Sequence, residues 1–82
     1  MRVPKSPWPA AVIRDTTKRA VDRVGGPVGF GAIGRTFQEA IITQAAFDLF
    51  MSAGASGPIT VSVDDMGATL HAMRVVAEME SE

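Results

Sequence analysis

The only histidine of the chain, His71, has a carboxylate seven residues away on each side, at Asp64 and Glu78. On a helix these three side chains share one face, and imidazole with carboxylates is a ligand set for metal ions and for acid–base chemistry. Seven residues of helix rise about 10.5 Å, whereas ligands lie within about 2.6 Å of a bound ion. The three residues therefore cannot bind one ion within one chain. Without a cysteine or a second histidine, we expect no metal site, no catalytic residues and no enzyme.

Three glycines, Gly29, Gly31 and Gly34, have the G-x-G-x-x-G spacing with which a loop binds the pyrophosphate of a dinucleotide. Such a site requires a buried strand before the glycines and a carboxylate about 20 residues after them. Here residues 25–27, Gly-Gly-Pro, end a helix before the motif, and no carboxylate stands at that distance past Gly34. The pattern therefore predicts no cofactor and a tight connector between two helices, with one phosphate bound near Arg35 as a weaker alternative.

The charge of the chain is divided unevenly. Residues 1–35 carry seven basic and two acidic residues, whereas residues 36–82 carry one basic and seven acidic residues. Four basic residues on the first predicted helix are candidates for contacts with nucleic-acid phosphates: Arg14, Lys18, Arg19 and Arg23. Asp15 stands four residues before Arg19, and Asp22 stands four residues after Lys18. Residues at this spacing form ion pairs on a helix. A solvated ion-pair surface is therefore the first interpretation, and a small nucleic-acid-binding transcriptional regulator is the alternative.

Aromatic side chains are the candidates for contact with a protein partner, because they supply much of the binding energy at interfaces. Trp8 lies between two prolines, in a segment that a partner could bind in extended form. The second long helix is also more apolar than so small a monomer needs. The residues predicted to contact a partner are Trp8, Phe30, Phe47 and Phe50. We expect a small regulator, inhibitor or assembly factor that acts by protein–protein contact, with a homodimer as one form of it.

Three helices must position these residues. Apolar residues recur at helical spacing from Ile13 to Val24, which predicts a first helix that starts near Pro9. Thr36 and Glu39 have the spacing of a capping box, and they predict a second helix from about residue 37 to residue 53. Ser62 stands three residues before Asp65, which is the spacing of a second helix cap. It predicts the start of a third helix that runs to about residue 80.

The sequence does not decide the secondary structure of one short segment. In residues 59–63, Ile-Thr-Val-Ser-Val, apolar and polar residues alternate in the pattern of a short β-strand. The sequence therefore predicts a mainly α fold, a small three-helix domain with a glycine-rich connector, and it leaves open a strand over residues 59–63.

Composition limits the kind of protein further. The chain has 82 residues, of which 46% are hydrophobic and 21% charged, and this is typical of one small folded domain. Residues 1–9 contain three prolines and are predicted to form an extended tail before a single helical domain over residues 10–82. No uninterrupted apolar segment is long enough to span a membrane, and the N-terminus lacks the apolar region of a signal peptide. We expect a cytoplasmic protein without a membrane partner.

Overall fold

The computed structural model describes residues 2–53 and 62–80. These residues form four helices, α1 (Ala10–Asp22), α2 (Gly26–Ala32), α3 (Arg35–Ala53) and α4 (Val63–Glu80). The predicted mainly α class is confirmed. Helix α1 packs against each of the other three helices, and α3 also packs against α4. Most of the predicted strand, residues 59–61, lies outside the described residues, and Val63 is the first residue of α4.

Helix α1 begins directly after Pro9, as the sequence predicts. The carbonyl oxygen of Pro9 accepts hydrogen bonds from the amides of Val12 and Ile13, at 3.0 and 3.2 Å. Proline is tolerated at a helix start because the amide hydrogens there have no partner within the helix. The predicted apolar stripe of α1 is also confirmed, and its buried residues are Ile13, Thr17, Ala20 and Val21.

The glycine-rich stretch is helical where the sequence predicts a connector. Gly25 and Gly26 turn the backbone through the left-handed region, with φ of 99° and 75°, and α2 then continues to Ala32. At Gly29 a side-chain carbon would collide with the carbonyl oxygen of Val24. Glycine thus lets α2 fold back closely onto the end of α1. The connector prediction was wrong because it weighed the low helix propensity of glycine and not the burial of an aromatic ring on this short helix.

Helix α3 starts two residues earlier than predicted, and the predicted capping box does not form. The amide of Gln38 donates to the carbonyl oxygen of Gly34 at 3.0 Å, so Thr36 lies inside the first turn. The carboxylate of Glu39 instead accepts two hydrogen bonds from Nε of Arg74 on α4, at 3.1 and 2.9 Å. A tertiary ion pair has replaced the local cap.

The cap predicted at the start of the last helix is confirmed. Oγ of Ser62 accepts a hydrogen bond from the amide of Asp65 at 3.0 Å. Asp64 and Asp65 lie in the first turn of α4, where negative charge is favourable beside the positive end of the helix dipole. The buried residues of α4 are Thr69, Ala72, Met73, Val76 and Ala77.

The N-terminal segment packs against the core. The rings of Trp8 and Phe50 meet edge to face with their centroids 5.1 Å apart, and Val3 also packs against the buried cluster. This contact joins the start of α1 to the end of α3, so these two helices run antiparallel. At the other end of α3, the side-chain amide of Gln38 donates to the carbonyl oxygen of Phe30 at 2.7 Å.

Candidate protein-interaction surface

One face of α3 fills the core, and a second apolar face is exposed. Ile42, Ala45 and Ala46 are buried. On the opposite side of the same helix, Phe37 is 69% exposed, Phe47 is 51% exposed and Met51 is 66% exposed. Helix α3 is therefore apolar on two sides, and only one of them is covered by the described residues.

The exposed side chains follow a regular spacing. We define the outer face of α3 as five residues separated by 3, 4, 3 and 4 positions: Phe37, Ala40, Gln44, Phe47 and Met51. That spacing repeats every seven residues, as in the contact seam of a coiled coil. The set spans about 21 Å of helix. A straight helical partner could therefore contact the whole outer face at once.

The exposed area is large for so small a chain. Each of the three large side chains has roughly 200 Å² of surface. Their exposed fractions therefore leave on the order of 350 Å² of apolar surface in one patch, a size that often marks an interaction site.

An apolar groove lies beside the outer face. It has a volume of about 290 Å³ and runs between α1 and α3. Ala20 and Val24 line it from α1, while Phe37, Ala40 and Ile41 line it from α3. The groove widens the apolar surface toward α1, so that a partner on the outer face could also insert a side chain between the two helices.

Charged side chains border this surface on the side of α1. Arg23 lines the apolar groove, and Arg19, Arg23 and Asp48 line a second groove further along the same two helices. Asp48 accepts a hydrogen bond from the side-chain amide of Gln44 at 3.0 Å. The edge of the surface therefore offers both a positive and a negative group.

The four predicted partner-contact residues do not lie together on the surface. Phe30 is 4% exposed and belongs to the core. Phe50 is buried against Trp8, which is itself partly buried. Phe47 is the member of the set that lies on the outer face of α3. Phe30 and Phe50 are buried in the fold and Trp8 is partly buried, so the structure does not bring the four residues onto one surface, and their contact with a partner stays a prediction.

The two other large apolar residues of the outer face, Phe37 and Met51, are missing from that prediction. Their spacing of 3 and 4 residues with Ala40, Gln44 and Phe47 is visible in the sequence. The sequence does not reveal, however, which of the two apolar sides of α3 faces the core. The seven-residue repeat is the signal that could have distinguished the exposed apolar side of α3 from the buried one.

The four predicted nucleic-acid contacts, Arg14, Lys18, Arg19 and Arg23, are exposed on α1. The predicted pair of Arg19 with Asp15 is confirmed, with N and O atoms 2.8 Å apart. The pair predicted between Lys18 and Asp22 does not form among the described residues. The exposed positions are compatible with phosphate contacts, and nucleic-acid binding stays a prediction.

A polar cavity of about 300 Å³ lies on the other side of α3, toward α4. Arg35, Glu39, Arg74 and Glu78 line it. Arg74 and Glu39 pair with each other across it, with Nη2 and Oε2 2.8 Å apart, so these charges join α3 to α4. Within residues 2–53 and 62–80, no group of three side chains could hold a metal ion. None of the helices in this part of the chain combines the length and the apolar character that a membrane span requires.

No protein-family model matches the sequence, and neither a curated protein nor a solved structure matches the chain significantly.

Proposed function

We propose that this chain is a non-enzymatic protein that acts by binding another protein through the outer face of α3. The observation that carries the proposal is the exposure of Phe37, Phe47 and Met51 on one side of a helix whose other side already fills the core. More than half of the surface of each of these three residues is not buried by the described fold. A partner that covers them would remove their apolar surface from water.

The energy available from this contact is sufficient for binding. Burial of about 350 Å² of apolar surface contributes roughly 9 kcal/mol, at about 25 cal/mol per Å². Association costs about 4 to 15 kcal/mol in lost translational and rotational freedom, and the apolar surface that the partner buries in the same contact adds to the favourable side. The surplus corresponds to weak or moderate affinity, which suits a regulator, inhibitor or assembly factor that must bind and dissociate.

A photo-crosslinking experiment tests the proposal. A benzophenone side chain is placed at Phe47, and in a control variant at His71, which is exposed on α4. Both are irradiated in a lysate of the cells that naturally make the protein. We expect a specific adduct with a protein from position 47 and none from position 71. The absence of an adduct from position 47, or equal adducts from both positions, would contradict the proposal.

A further inference from the structure

We propose that the outer face of α3 binds the same face of a second copy of this chain, with the two α3 helices antiparallel about a two-fold axis at Gln44. This inference rests on the proposed function, because it names the partner of the same surface. Three features of the surface support it: its match to itself under that rotation, its charges and its size.

The outer face is complementary to itself in this arrangement. A two-fold interface pairs residue i of one copy with residue j of the other, and j with i. Rotation about Gln44 places Phe37 opposite Met51 of the second copy and Ile41 opposite Phe47 of the second copy. Large apolar side chains of the two copies therefore meet on both sides of Gln44.

The polar residue of the seam then lies at its centre. Gln44 faces Gln44 of the second copy, and a side-chain amide can both donate and accept hydrogen bonds. A buried polar residue at one position of a helical seam is a common way to select register. The amide nitrogen of Gln44 already donates to Asp48 of its own chain, so the groups that a shift would leave unpaired are its amide oxygen and its second amide hydrogen. Gln44 thus favours the one register in which the two amides meet.

The charges select the antiparallel orientation. Arg23 and Ala40 both line the apolar groove, and the rotation about Gln44 places Asp48 of the second copy opposite Ala40. Each copy therefore brings its carboxylate to the arginine of the other, and the pair occurs twice. In a parallel dimer, Asp48 would face the opposite flank of the other α3, where Thr36 and Thr43 lie, and both ion pairs would be lost.

The exposed area fits a weak, reversible dimer. A standard interface buries about 800 Å² on each partner, and the three large side chains supply on the order of 350 Å² of it. Further buried area comes from the neighbouring side chains of Ile41, Gln44, Asp48 and Arg23. Small interfaces are typical of transient complexes, so we expect a dissociation constant of roughly 1 to 100 µM.

Charge reversal between copies provides the test, measured by sedimentation equilibrium. Arg23→Asp and Asp48→Arg each place like charges together in a homodimer, so each variant alone should sediment near the monomer mass of 8.6 kDa. The Arg23→Asp variant is negative at both positions 23 and 48, whereas the Asp48→Arg variant is positive at both. In an equimolar mixture, a dimer of one copy of each variant therefore pairs opposite charges at both contacts. We expect the mixture to form a dimer at concentrations where neither variant does so alone.

Matched controls separate this effect from net charge and from misfolding. Arg14→Asp and Asp22→Arg change the charge by the same amounts on α1, away from the groove, and we expect them to dimerise like the natural chain, alone or mixed. Phe47→Lys should weaken the dimer at least about tenfold, whereas Val28→Lys, at a site 86% exposed on α2, should not. Circular dichroism verifies that each variant is helical.

The possible outcomes distinguish this inference from the proposed function. A dimer of the natural chain that forms again in the charge-reversed mixture supports the inference. A natural chain that stays monomeric at about 300 µM, or a mixture that stays monomeric, overturns it. If the benzophenone at position 47 then still reacts with a different protein, the proposed function stands without the second copy. If it reacts with no protein, both fail.

Discussion

Two threonines of the core have the same burial but different hydrogen bonding. Thr17 on α1 and Thr69 on α4 are both 0% exposed. Oγ1 of Thr69 donates to the carbonyl oxygen of Asp65 at 2.8 Å. The hydroxyl of Thr17 has no hydrogen-bond partner within the described part of the chain. A buried hydroxyl without a partner costs free energy, so these two sites respond differently when the hydroxyl is replaced by a methyl group.

We predict that Thr17→Val raises the free energy of unfolding by about 1 kcal/mol, because valine has the same shape and removes the unpaired hydroxyl. Thr69→Val is the matched control, since it removes a hydroxyl that has a partner, and we expect it to lower stability or leave it unchanged. Urea denaturation of both variants measures the difference. A loss of stability in Thr17→Val that equals the loss in Thr69→Val would contradict the prediction.

Trp8 is predicted from the sequence to contact a partner, but its packing on Phe50 gives it a role in the fold. We predict that Trp8→Ala lowers the free energy of unfolding by about 3 kcal/mol, because a large aromatic side chain leaves the core surface. Thermal unfolding followed by circular dichroism measures this, with the exposed Pro7→Ala as the control. A Trp8→Ala variant as stable as the control would mean that the N-terminal segment does not hold α1 and α3 together.

At the scale of the helices, the glycines of α2 have different roles. Gly29 and Gly31 lie on the same short helix, but a side chain at Gly29 would meet the carbonyl oxygen of Val24, whereas a side chain at Gly31 would meet nothing within 4 Å. We predict that Gly29→Ala lowers the free energy of unfolding by about 2 kcal/mol or more, because α2 must move away from the end of α1.

Gly31→Ala is the control on the same helix, and it should raise stability by up to about 1 kcal/mol, since alanine favours helix more than glycine does. Chemical denaturation of the two variants gives the comparison. If both substitutions change stability in the same direction and by the same amount, the close approach of α2 to Val24 does not exist in solution.

Sequence reasoning succeeded for α1 and α4 and failed for α2, for identifiable physical reasons. The first and last helices have a single apolar stripe and a clear terminal residue, Pro9 or Ser62, so local rules are sufficient. Helix α2 has three glycines in seven residues, and it is held by the burial of Phe30 and by close contact with α1. Both are tertiary contacts, and the intrinsic helix propensity of a residue does not take tertiary contacts into account. The Thr36–Glu39 box failed similarly, because Glu39 pairs with Arg74 from a distant part of the chain.

At the scale of the whole molecule, the basic residues of α1 provide a test of the alternative function. Arg19 already pairs with Asp15 at 2.8 Å, and the chain carries a net charge of −1. We therefore predict no measurable binding to a random-sequence DNA duplex at about 50 mM salt, where phosphate contacts are strongest. Fluorescence anisotropy measures this. Salt-dependent binding that disappears when Arg14, Lys18, Arg19 and Arg23 are reversed would establish the alternative.

The candidate surface could be predicted only in part. The sequence shows that α3 is too apolar for a small monomer, and Phe47 was predicted to contact a partner. It does not show which side of α3 is covered, because Ile42 and Phe50 on one side are as apolar as Phe37 and Phe47 on the other. Packing of α1 and α4 against the first side decides this, and packing depends on the whole chain.

The most direct test of binding between two copies is a dilution series followed by nuclear magnetic resonance. Amide spectra of the isotope-labelled chain are recorded from about 500 µM down to about 10 µM, a range that brackets the expected dissociation constant. If the outer face of α3 binds its own copy, the peaks of residues 37–51 and of Arg23 shift with concentration, while those of residues 68–78 on α4 do not. Peaks that stay constant throughout, or shift mainly on α4, would contradict a two-fold contact centred on Gln44.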